Sequence, residues 1–72
     1  MSSSQQYEAS GDRFAGLGRH REAAIEYQNG VRETPQNGAL RNKLAETFMK
    51  MGDIARAREA FEHVRDLRTE GD

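Results

Sequence analysis

Shifting this sequence by 34 residues lays it on itself. Gly18 falls on Gly52, Phe14 on Phe48, Leu17 on Met51, Ala23 on Ala57, Tyr27 on Phe61 and Gly11 on Ala45. Large residues meet large ones and small residues meet small ones. The match is therefore one of packing roles, and it points to a duplicated structural unit that buries its apolar face against its neighbour.

Within each unit the apolar spacing is helical. Leu40, Leu44, Phe48 and Met51 step by four, four and three, and Ala57, Ala60, Phe61, Val64 and Leu67 form a second stripe. Each unit is a helix pair. Gly18 and Gly52 stand where the first helix of each pair has to stop, because glycine enters the left-handed conformation that follows many helix ends. Asp53 is placed to cap the helix after it. The segment Thr34-Pro35-Gln36-Asn37-Gly38 holds the only proline, which cannot continue a helix and pushes Thr34 out of helical geometry. It is the turn between the units. The pattern predicts an all-α chain of two tandem helix-turn-helix hairpins, four antiparallel helices over 4–15, 21–33, 38–50 and 54–68. They form a single domain, 1–72, with repeats of about 4–37 and 38–71.

Composition mainly removes possibilities. Seventy-two residues make one small domain with a thin core, for which a partner or neighbour is expected to add stability. With no cysteine, there is no disulfide framework, thiolate metal site or cysteine nucleophile. Charged residues are 32% of the chain, interspersed in sign and summing to −1, which lacks the basic face that nucleic acid demands. Neither a basic-then-apolar leader nor a run of about 18 apolar residues is present. A soluble, cytoplasmic protein without a membrane or nucleic-acid partner is expected.

These residues resemble the tetratricopeptide repeat. The first copy reads Tyr7, Gly11, Phe14, Gly18, Ala23, Tyr27, Gly30 and Pro35, and the second Ala45, Phe48, Gly52, Ala57, Phe61 and Val64. Small residues at 11 and 45 let paired helices approach, and the aromatics fill the space beside them. Departures from the pattern are Ser10 for a large aliphatic, Arg41 for the opening aromatic and Thr69 for the closing proline. Asn29-Gly30 reads alone as a turn. The repeat register places it inside a helix, where a small residue belongs and the helix is expected to be soft.

The resemblance implies a scaffold of α-solenoid type that binds a protein or peptide and performs no catalysis. The inner face carried over from the family comprises Gln5, Glu8, Ala9, Asp12, Ala15, Gly16, Ala39, Asn42, Lys43, Glu46, Met49 and Lys50. Glu8 and Asp12 stand where one branch of the family holds carboxylates with lysine and asparagine, so a basic or mixed ligand is expected. The alternative is that these charges are only a solvated face. The second hairpin ends without a covering helix, which leaves parts of Leu44, Met51, Ile54, Ala57, Phe61 and Val64 facing water. That implies a segment of a longer repeat array, or self-association of two copies through this apolar end.

Other constellations carry less. His20, read as lying in a turn, and His63 have no nucleophile beside them. Glu59, His63 and Asp66 share a helix face, a triple that charged helices produce easily. Gly11, Gly16 and Gly18 lack the spacing of a phosphate loop. Arg56, Arg58, Arg65 and Arg68 interleave with Glu59, Glu62 and Asp66, which favours intrahelical pairs such as Glu62 with Arg65 over DNA phosphates. No catalytic residue, cofactor or metal site is expected.

Overall fold

The computed structural model describes residues 3–69, with side chains described through Val64. Among these residues four helices follow one another, α1 (Ser3–Gly16), α2 (His20–Glu33), α3 (Gly38–Lys50) and α4 (Ile54–Thr69). Every expected boundary lies within one residue of the observed one. His20, expected in a turn, instead opens α2.

The turn inside each hairpin is the same turn twice. After α1 the Arg19 N–H donates to the Phe14 carbonyl at 2.9 Å and the Gly18 N–H to that of Ala15 at 3.0 Å. After α3 the Asp53 N–H donates to Phe48 at 2.9 Å and the Gly52 N–H to Met49 at 3.0 Å. Each bond recurs at the 34-residue offset. This paired pattern satisfies the last carbonyls of a helix and needs a left-handed residue, and Gly18 and Gly52 supply φ of 77° and 81°. Capping of the following helix differs between copies. Asp53 Oδ1 accepts from the Arg56 N–H at 3.1 Å, whereas Arg19 gives α2 no side-chain cap.

Between hairpins, Thr34 leaves helical geometry at φ −135°, ψ 79°, as expected before a proline. Asn37 Oδ1 accepts from the Leu40 N–H at 3.0 Å and caps α3. Arg41, where the family has an aromatic, donates from Nε to the Pro35 carbonyl at 2.8 Å and ties helix to loop.

One core serves both repeats. Ala23, Ala24 and Tyr27 of α2 pack with Leu40, Leu44 and Phe48 of α3 and Ala57 of α4, and Phe14, Ala15 and Val31 lie against them. Helix α2 packs on both α1 and α3, and α4 packs on α3. Two glycines set the closeness of this packing. A Cβ on Gly11 would meet the Tyr27 ring, 2.6 Å from Cδ1 and 2.9 Å from Cζ, and a Cβ on Gly30 would stand 2.6 Å from Leu40 Cδ2. Asn29-Gly30 is thus no turn: Gly30 is the seat of Leu40, which is fully buried.

Candidate functional site

The face shared by α1 and α3 is stitched together by Lys43. Its Nζ lies 2.8 Å from Glu8 Oε2 and 3.0 Å from Asp12 Oδ2, both on α1. Asp12 Oδ1 also accepts the Tyr27 hydroxyl at 2.6 Å. One residue from each of α2 and α3 therefore converges on the first repeat's carboxylates. Along α3, Asn42 Nδ2 donates to Glu46 Oε1 at 3.2 Å. Lys43 answers one of the two negative charges with which this face begins at Glu8 and Asp12.

Proton affinities follow the same contacts. The bond to Glu8 is the main cause that raises Lys43 above its ordinary value; partial desolvation opposes it and Asp12 adds to it. Desolvation works against the shift at Asp12, but the Tyr27 hydroxyl and the Lys43 ammonium together hold its carboxyl below the ordinary value. Burial first, then the bond to the Asp12 carboxylate, pushes the Tyr27 hydroxyl well up. Beside this network a narrow cavity of about 180 Å³ separates the hairpins, lined by Asp12, His20, Tyr27, Lys43, Glu46 and Lys50 among others. The buried Nδ1 of His20 has no hydrogen-bond partner among the described residues.

The second surface lies at the far end of the second hairpin. Met49 from the close of α3 joins Ile54, Ala57 and Phe61 of α4 around an open cavity of about 410 Å³, rimmed by Arg58 and Glu62. Met49, Ile54 and Phe61 expose 52%, 55% and 37% of their surface. Met51 is exposed too, and Val64 is half-buried. Two residues expected to face water do not. Leu44 and Ala57 are buried, because Leu44 sits among Tyr27, Leu40 and Phe48 in the shared core and Ala57 is the small residue by which α4 meets that core. Ala57 still forms part of the cavity wall.

Sequence reasoning placed Met49 on the inner face and missed that it opens this apolar end. The signal was available: position 49 is the counterpart of Ala15, which packs against the core in the first repeat. The counterparts of Ile54, Ala57 and Phe61 are likewise His20, Ala23 and Tyr27. Those belong to the end of the first hairpin on which the second is stacked, and Tyr27 is only 3% exposed. Phe61 holds the same place in its own hairpin, and among the described residues no further hairpin covers it.

Two hairpins with superimposable turns, stacked in register on a shared core, define a helical-hairpin repeat protein. The tetratricopeptide repeat profile matches residues 14–70, and the chain belongs to the tetratricopeptide repeat family. The match leaves out most of α1, where Ser10 departs from the pattern. Repeats of this family generally mediate protein–protein interaction. Comparisons with curated proteins and with solved structures give no match. Among the described residues no helix is long and apolar enough to cross a membrane.

Proposed function

We propose that this chain is a non-catalytic protein-interaction module whose recognition surface is the apolar end built by Met49 and α4. The observation that carries this reading is the joint exposure of Met49, Ile54 and Phe61 around one cavity. Contiguous apolar area of this kind marks an interface, since each Å² removed from water contributes roughly 25 cal/mol. The shape suits a helix, because on the first hairpin the equivalent end is packed by α3. A fitting ligand presents apolar residues at i, i+3 or i+4 and i+7, with charges that answer Arg58 and Glu62.

The face of α1 and α3 suits a basic ligand less well than its sequence suggests. Glu8 and Asp12 already hold Lys43, so a basic peptide has to displace an internal ammonium. Selecting helical peptides by display against the chain tests this reading. Selected binders are expected to share an apolar stripe and to lose affinity for Phe61→Glu. Binders that tolerate Phe61→Glu but fail on Lys50→Glu place recognition on the inner face and refute the proposal.

A further inference from the structure

Resting on the apolar end as the recognition surface, we infer that its occupant is a helix of a partner protein whose apolar stripe is broken by one carboxylate, placed to meet Arg58. The first hairpin shows how such an end is covered. Helix α3 packs back along α2 with Leu40 seated on Gly30, and Leu40, Leu44 and Thr47, at i, i+4 and i+7, are all buried. Seven residues on from Leu40, Thr47 comes about level with Ala23 and Ala24 of the antiparallel α2, and it shares the narrow cavity between the hairpins with His20 and Tyr27. Ala24 is 5% exposed in the core that the two helices share.

The end of the second hairpin repeats that surface with two telling exchanges. Val64 stands for Gly30 and puts a branched side chain where the first hairpin admits Leu40, so a docking helix needs a small residue at i. Arg58 stands for Ala24. A helix laid on α4 as α3 is laid on α2 closes over this guanidinium, which holds no ion pair with another side chain among the described residues. Taking it out of water unpaired is unfavourable, and a carboxylate at i+7, the place of Thr47, answers it. Glu62 stands for Gln28, which is only half-buried, so Glu62 keeps its contact with water and contributes less. A second copy does not fit the same seat. Its α1, the helix that corresponds to α3, carries Gln6, Ser10 and Arg13 at i, i+4 and i+7, and arginine would meet arginine.

Parallel display selections of helical peptides against the full chain, Arg58→Glu and Arg58→Ala test this. Both variants change an exposed residue, and circular dichroism is expected to show the helix content of the parent. Binders of the parent chain are expected to carry Asp or Glu seven residues after a small residue. Against Arg58→Glu the charge at that place inverts to Lys or Arg, and against Arg58→Ala, which restores the residue of the first hairpin, the preference disappears. In one selected peptide, exchanging that carboxylate for its amide is expected to raise the dissociation constant about tenfold for the parent and to leave it unchanged for R58A. Binders whose charge at that place ignores residue 58 overturn the inference. If they still depend on Phe61, the recognition reading stands without it; if they do not, both fall. A sedimentation-equilibrium mass that rises from 8.1 kDa to twice that value and returns with Phe61→Glu also overturns it, because a second copy is then the occupant.

Discussion

The Tyr27 ring occupies the space that a side chain at position 11 would need, its Cδ1 lying 2.6 Å from the ideal Cβ of Gly11. The contact couples α1 to α2, and the same ring hands its hydroxyl back to Asp12, one residue along. Gly11→Ala therefore forces either the aromatic ring or the whole of α1 to move. A loss of about 1–3 kcal/mol is expected, the usual result of overpacking, although alanine is the better helix former. Urea denaturation measures it, and an unchanged midpoint would show that the ring is not the wall it looks to be.

Two glycines only two residues apart should respond to alanine in opposite directions. Gly16 has a helical φ, and nothing lies within 4 Å of a Cβ built there, so Gly16→Ala is expected to stabilise by about 0.5–1 kcal/mol. Gly18 sits at φ 77°, so Gly18→Ala is expected to destabilise by about 1–2 kcal/mol through backbone strain alone. Thermal melts of the two variants should bracket the parent chain.

The unequal caps offer a repair. Arg19 occupies the place where Asp53 caps α4 but leaves α2 without a side-chain acceptor. Arg19→Asn introduces that acceptor, and a gain of about 0.5–1 kcal/mol is expected. The exposed 3.7 Å ion pair between Arg19 and Glu22 that it removes counts for little against this. Asp53→Ala should lose a similar amount, measured by the same melts.

The Lys43 network sets the direction of the pH response. The folded Asp12 carboxyl lies below its ordinary value, so its contribution is present above about pH 4 and fades as pH falls through the folded value. Lys43 is raised, so its contribution is complete below about pH 10 and fades only as pH climbs through its raised folded value. Lys43→Met should remove most of the acid-side difference and leave Glu8 and Asp12 to repel. The exposure of all three side chains keeps the loss to about 1 kcal/mol at neutral pH. Melting temperature against pH for both chains reads this directly, and parallel curves would contradict the coupling.

Helix order, boundaries and turns were legible because local rules and the 34-residue period agree: Gly18, Gly52, Pro35 and Asp53 each do in the fold what their chemistry suggests. Asn29-Gly30 shows register overruling a local turn signal, for a reason visible only in three dimensions, the Leu40 side chain seated on Gly30. The site was less legible. Glu8 and Asp12 read as an exposed acidic patch because Lys43 lies more than 30 residues away in sequence, and only the stacking of α3 brings it within 3 Å. Leu44 and Ala57 read as exposed because a stripe fixes a helix face without saying which part of it a neighbour covers.

Amide shift mapping of the isotopically labelled chain, titrated with a selected helical peptide, tests most directly where this module binds. Perturbations are expected to centre on Met49, Ile54, Ala57 and Phe61, with Gln5, Glu8, Asp12, Asn42 and Glu46 unmoved. Shifts confined to that second group, with the α4 face silent, would contradict the assignment of recognition to the apolar end.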